Sequence, residues 1–385
     1  MPFSLSLLFL VVFTACETDI DVIKPDEDVT IIYGLLEANK TIHFIRINKS
    51  FVGEKPASEL AAINGINEYD DDEIIVAQVQ EIDGNDNIIR AWDLKDTIYT
   101  NKEEGAFANE SNKAYYFEAK LNVDYRYRLF CEIEPHGHSR KVVTAVTNIV
   151  GTGASGQLQE VVLETPRLSV SSSSNGGTDR TRDEVKLVNN NGYATSYKVL
   201  WSTVSGAYRA QSYARMYYRE KDSTNGTSVP DSITLPIGSK SINSIGQIEF
   251  NFNTSEWYFT IGSNLSDIDV ATSPVRRHVN DTLQFYLELS NKELATYIEI
   301  NQPVTGVLLD RPQYTNVSNG IGIFASRLIV STRRKDYIRS GRILDNRSLE
   351  ELLYSNLPES AGYTAGKGLV KPGRCFVLST GPTCL

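Results

Sequence analysis

Tyr127-Arg128-Leu129-Phe130-Cys131-Glu132-Ile133 changes side with every residue. Leu129, Cys131 and Ile133 share one face, the period of two that marks a half-buried strand and predicts a buried free thiol at Cys131. Working outward, Glu134-Pro135-His136-Gly137-His138-Ser139 is a turn, and Arg140 to Ile149 is a second strand. Upstream, Ala114 to Ala119 is strand-like, and Glu73 to Ile82 and Asn87 to Leu94 flank the hairpin turn Asp83-Gly84-Asn85-Asp86. Two more alternating runs come first: Val29-Thr30-Ile31-Ile32-Tyr33-Gly34-Leu35 and Thr41-Ile42-His43-Phe44-Ile45-Arg46-Ile47. In the second, Ile42 and Phe44 cannot share a face with His43 and Ile45.

That number of strands in this length suggests an N-terminal immunoglobulin- or fibronectin-like β-sandwich over residues 28–150. Leu121-Asn122-Val123-Asp124-Tyr125-Arg126-Tyr127 looks like the corner of such domains, where a Tyr hydroxyl bonds back to the backbone beside a Leu that enters the core. A joint follows at Gly151-Thr152-Gly153-Ala154-Ser155-Gly156. Residues 151–385 then read as a larger β-rich domain. Its strands are expected at Tyr193 to Trp201, Tyr208 to Tyr218, Ser232 to Pro236, Gln247 to Asn253, Trp257 to Ile261, Thr282 to Leu289 and Gly322 to Ser331. Ser290 and Glu293 have the spacing of a capping box, so a short helix is expected near 290–300 with Leu294, Tyr297 and Ile298 on one face. A second is expected at 348–355.

Composition agrees with a mainly β chain. Of 385 residues, 41% are hydrophobic and 10% aromatic, enough for real cores, and the 20 tyrosines accompany a bias toward strand and turn formers. The formal charge of -10 excludes a general attraction to phosphate backbones, so nucleic acid is not an expected partner.

The N-terminus carries an address. Phe3 to Phe13 is apolar and uncharged but too short to span a bilayer, which takes roughly 20 residues. It ends in Phe13-Thr14-Ala15-Cys16, which looks like the lipobox of bacterial lipoproteins, where the signal (1–15) is cut and the new N-terminal Cys16 is acylated. Glu17, Asp19, Asp21, Asp26 and Glu27 make 16–27 an acidic tether, similar to the stretch that follows the lipid-bearing Cys in surface lipoproteins of Bacteroidota. At the other end, Cys375 and Cys384 flank the turn sequence Thr380-Gly381-Pro382 in an export compartment that tolerates disulfides, so a bridge between them is expected.

Asp281-Thr282-Leu283-Gln284-Phe285-Tyr286-Leu287-Glu288-Leu289-Ser290, the helix after it, and Asn316-Val317-Ser318-Asn319-Gly320-Ile321-Gly322-Ile323-Phe324 together resemble Bacteroidota surface lipoproteins of unknown function. The second stretch matches their Asn-x-x-Asn-Gly-x-Gly-x-Phe segment. The resemblance implies an outer-membrane, cell-surface location and companionship with membrane assemblies; it brings no activity and no functional residues.

Catalytic motifs are missing. There is no Gly-x-Ser-x-Gly elbow, no phosphate-binding Gly-x-x-x-x-Gly-Lys and no His-Glu-x-x-His, and no cofactor is expected. Three cation candidates read as solvated turns or faces first: Asp70-Asp71-Asp72-Glu73, the Asp83 turn, which lacks the twelfth-position Glu of a calcium loop, and His136-Gly137-His138. The aromatics open to a carbohydrate role are Trp92, Trp201, Trp257 and the Tyr208, Tyr213, Tyr217, Tyr218 set, with core packing as their first reading. The expected function is a non-catalytic lipid-anchored accessory or binding subunit of an outer-membrane assembly. The alternatives are a glycan-binding or glycan-degrading lipoprotein and a fimbrial component.

Overall fold

The computed structural model describes residues 29–51, 55–99, 112–151, 197–269, 272–302 and 313–331, with short pieces at 163–165, 184–185, 187–189, 192–193, 342–344, 348, 352 and 376. The chain is mainly β. The first strands are β1 (Thr30–Glu37), β2 (Ile42–Lys49), β3 (Ile74–Ile82), β4 (Ile88–Asp93), β5 (Lys95–Ile98), β6 (Lys113–Glu118), β7 (Arg126–Ile133) and β8 (Lys141–Asn148), with the short helix α1 (Ala57–Ala61) after β2. Four small strands follow: β9 (Leu163–Thr165), β10 (Glu184–Val185), β11 (Val188–Asn189) and β12 (Gly192–Tyr193). Longer elements come next: β13 (Tyr197–Ser202), β14 (Arg209–Asp222), β15 (Ser228–Ser241), β16 (Gln247–Phe252), α2 (Thr254–Asn264), β17 (Val275–Ser290) and α3 (Lys292–Ile300). The last are β18 (Val317–Ser318), β19 (Ile321–Ser331) and β20 (Arg342–Leu344). Among the described residues no helix is long and apolar enough to cross a membrane.

One sheet runs the length of the molecule in the order β15-β14-β17-β19-β1-β2-β6-β5, and β20 with β10 joins β17 beyond β19. A second sheet, β18-β8-β7-β3-β4, packs against its β1, β2 and β6 end. Between them lies the first core. Alternation sets its membership: Ile32, Ile45 and Phe117 meet Val79, Leu129 and Val143, and Cys131 is fully buried and free. At the corner, Leu121 enters this core and the Asn122 N–H donates to the Tyr127 hydroxyl at 2.7 Å. That hydroxyl donates in turn to Glu81 Oε2 at 2.6 Å, so this buried phenolic oxygen is satisfied twice.

Residues 316–324, remote in sequence, close this core. Val317 pairs with Ala145 of β8 in the second sheet, and β19 then pairs in parallel with β1 in the long sheet, from Ile31↔Ile321 to Glu37↔Arg327. Asn316 holds the turn between them: its Nδ2 donates to Val146 O at 3.2 Å and Phe324 O at 2.6 Å, and its Oδ1 accepts from the Phe324 N–H at 3.0 Å. Gly322 has φ of +108°, and a Cβ there would sit 2.0 Å from the Ile32 carbonyl oxygen, so the close approach of the strands requires glycine. Phe324 is fully buried in the first core.

The second core lies under the β14, β15 and β17 part of the long sheet, facing the small β16-β13-β9 sheet and α2. Trp201, Phe250, Trp257, Phe285 and Leu287 form its centre. Burying side chains of this size contributes about 1.5–3 kcal/mol each.

Two local expectations change here. Trp257 to Ile261, expected as a strand, is the middle of α2. Trp257, Tyr258 and Ile261 point into the core while Phe259 is exposed, a helical spacing that five residues of apolar text cannot distinguish from alternation. Asn253 starts the helix by accepting from the Ser255 N–H at 3.0 Å. The second concerns α3, which forms at the expected place but is capped by Asn291 rather than Ser290. Asn291 Oδ1 accepts from the Leu294 N–H at 3.2 Å, while Ser290 is the last residue of β17, paired with Arg327 and Arg209. The amide wins because it also serves the tertiary fold. Asn291 Nδ2 donates to Thr147 Oγ1 at 2.7 Å and Asn148 O at 3.0 Å, tying α3 to the end of β8. Apart from Ser348 and Leu352, the helix expected at 348–355 lies outside the described residues.

Candidate binding face

Paired residues on neighbouring strands share a face, so register alone assigns the outer surface of the long sheet. Tyr33↔Arg46, Phe44↔Tyr116 and Tyr116↔Lys95 put these side chains on the side away from the first core. Helix α3 covers only part of that side: Leu294 packs with Ile323 and Ala325, joined by Leu35, Tyr297 and Ile298. Beyond α3, Tyr33 is 47% exposed, Phe44 43% and Tyr99 42%, so three neighbouring aromatics stand open to solvent. They line an open groove of about 690 Å³ together with Glu37, Lys40, Arg46 and Arg327.

The groove is ordered by side-chain contacts. Phe44 meets Tyr99 edge-on at 5.5 Å and Tyr116 at 6.2 Å, and Lys95 Nζ lies 5.9 Å from the Tyr116 ring. Arg46 donates to Asn112 Oδ1, and Asn112 Nδ2 donates to Tyr99 O at 3.0 Å, so one amide positions both the cation and the aromatic wall. The Tyr33 hydroxyl is raised in pKa by burial and by its hydrogen bond to Tyr297. His43 turns inward, bonded to Ala119 O at 3.0 Å, and burial lowers its pKa. Glu37 is held by Arg327 at 3.0 Å, whereas no carboxylate among the described residues pairs with Lys40 or Arg46. A protein of net charge -10 therefore presents a locally basic, aromatic groove, suited to an anionic and apolar ligand surface.

The sequence-derived candidates fall elsewhere. Cys16, Cys375 and Cys384 lie outside the described residues. Burial pushes the Cys131 thiol up to about 12, which keeps it an unreactive core residue. Trp201 and Trp257 are buried, Tyr218 is buried and bonded to Asp231 at 2.7 Å, and Trp92 stacks on Tyr127. Asp83 spends its carboxylate on its own turn, accepting from the Asn85 and Asn87 amides at 2.8 and 2.9 Å.

Two motifs far apart in the chain do meet. The His136 ring sits between the acids, with Nε2 3.1 Å from Asp72 Oδ2 and Nδ1 3.6 Å from Asp70 Oδ2. Glu73 fastens the two loops from below, accepting from the His136 N–H at 3.0 Å, the Asp70 N–H at 2.7 Å and Lys49 Nζ at 3.0 Å. Burial works to raise the Glu73 carboxyl, but these donors more than offset it and its pKa falls below the ordinary value. With carboxylates on opposite edges of the imidazole, the arrangement suits a protonated ring bridging two acids, and the Asp72 hydrogen bond raises the His136 pKa.

Sequence reasoning missed Tyr33, Phe44, Tyr99 and Tyr116. A signal was present: in Thr41 to Ile47 both parities are apolar, so a strand with only one buried face had to leave Ile42 and Phe44 over. The fold and groove thus define a mainly β, sandwich-like protein with an aromatic, locally basic groove on one sheet face. The chain matches no family model and no curated protein.

Proposed function

We propose that the protein is a non-catalytic surface lipoprotein, held at the outer membrane by acyl chains on Cys16, that acts as a binding or accessory subunit of an outer-membrane assembly. Its N-terminal body is read as an immunoglobulin- or fibronectin-like domain, supported by the Leu121 and Tyr127 corner. The observation that carries the binding role is the exposed Tyr33, Phe44 and Tyr99 groove with Lys40 and Arg46 lacking acid partners among the described residues. Its occupant is a protein segment bearing apolar and acidic side chains: aromatics and arginine dominate interface energetics, and the groove's charge complements acids. Several acyl chains suffice for stable anchoring, at about 0.8 kcal/mol per buried methylene.

The test is purification of the native protein from gently solubilised outer membranes. A partner protein is expected to co-migrate, and Phe44→Asp combined with Arg46→Glu is expected to reduce its capture about tenfold or more. A protein that migrates alone sinks the reading. Cys16→Ser is expected to move the chain to the soluble fraction.

A further inference from the structure

Further along the same outer face, on β14 and β17, lies a second cluster that shares no residue with the groove. Tyr213 and Tyr286 are directly paired, and their rings stack at 5.0 Å with 4° between planes. The Arg215 guanidinium lies 5.7 Å and 5.3 Å from the two ring centres. The Tyr286 hydroxyl donates to Gln284 Oε1 at 2.9 Å and is 2.6 Å from the Tyr217 hydroxyl, which can donate to it. Gln284 Nε2 donates to Ser331 Oγ at 3.0 Å. The Tyr217 hydroxyl also lies 3.3 Å from Gln284 Oε1, and its oxygen keeps lone pairs for a further donor.

Arg215 is the member left incomplete. Its Nε is buried with no acceptor among the described residues. No carboxylate among the described residues pairs with it, and Glu288, an acid on the same face, lies 3.9 Å from Arg327. A guanidinium cannot shed its proton to relieve this, and its planar fork fits a carboxylate. β14 offers little free backbone to a peptide, because β15 pairs with it along its length and β17 pairs with it on either side of the irregularity at Tyr217. A ligand there is read chiefly by side chains: a cation, ring surfaces, hydroxyls and an amide. We propose that the Arg215, Tyr213, Tyr217, Tyr286 and Gln284 cluster binds a uronic acid residue of an acidic glycan. The carboxylate faces Arg215, the sugar hydroxyls face Tyr217 and Gln284, and the ring C–H groups lie against the tyrosines.

The inference does not rest on the docking groove, and its test separates the two. The full chain is titrated with polygalacturonate, with a neutral galactan, dextran sulfate and polyglutamate as the other arms. Polygalacturonate alone is expected to bind, with affinity about tenfold weaker in Arg215→Gln, weaker also in Arg215→Lys, and unchanged in the Phe44→Asp, Arg46→Glu protein. Thermal unfolding of both Arg215 variants checks that the fold is kept. Absence of polygalacturonate binding, or unchanged affinity in both Arg215 variants, overturns the site. Equal binding of polyglutamate or dextran sulfate overturns the sugar, since charge alone would then be read.

Discussion

The two cores under one continuous sheet are held by different means. The first is threaded with polar side chains: Tyr127 between Glu81 and Asn122, Asn316 between β8 and β19, and Ser326, whose Oγ donates to Leu36 O at 2.9 Å and accepts from the Val150 N–H at 3.0 Å. The second is filled by large aromatics, and the indole of Trp201 needs only Ser212 Oγ at 2.9 Å. The difference follows chain separation. Strands β14 and β15 form a hairpin whose register the turn sets, so volume is what remains to be satisfied. Paired residues of β1 and β19 are 290 positions apart and the strands run parallel, so nothing local sets their register and directional bonds do it instead.

The largest effects should come from emptying either core. Phe324→Ala and Trp257→Ala are each expected to cost about 3–5 kcal/mol in chemical denaturation. Because the sheet is shared, each variant should still unfold in a single transition; separate transitions would break the idea that the two cores cooperate. Next come the polar ties of the first core. Asn316→Ala should cost about 1–3 kcal/mol, since it strands the Phe324 N–H and two carbonyls. Tyr127→Phe should cost a similar amount by depriving the buried Glu81 carboxylate and the Asn122 N–H. Asn319→Gly, at a residue with φ of +56° and one exposed bond to Val142 O, should cost less than Asn316→Ala. If it costs more, the turn and not the asparagine bridge sets the register.

Smaller effects belong to the outer surface. Phe44→Asp combined with Arg46→Glu should change stability by no more than about 1 kcal/mol while reducing partner capture about tenfold or more, which separates binding from folding. The smallest is a pH effect at His136. Its pKa is raised in the folded chain by Asp72, so its contribution is complete below the unfolded value of about 6.5 and is lost as pH rises through the higher folded value. His136→Ala should flatten the pH dependence of stability in that window. An unchanged slope would assign it to another group.

Much of this was legible in the residues. Alternation placed Leu129, Cys131 and Ile133 inside and separated Ile42 and Phe44 from His43 and Ile45, because strand periodicity is a property of the backbone alone. The helix at Lys292–Ile300 was legible for the same reason, although its cap was not, since Asn291 answers to Thr147 and Asn148 across the fold. Trp257 was ambiguous: a short apolar run takes its conformation from the core it enters.

The outer face of the long sheet shows the division most plainly. Tyr33, Phe44, Tyr213 and Arg215 each took a parity from their neighbours within their own strand, but that they share one face came from the pairing of the strands. Which of them would be covered by α3, stacked on one another or left beside a guanidinium depended on strands β17, β19 and β1 lining up in one sheet. Local geometry repeats every two residues and is written locally. Strand order and coverage come from packing free energy summed over residues hundreds of positions apart, and no short stretch of sequence contains that sum.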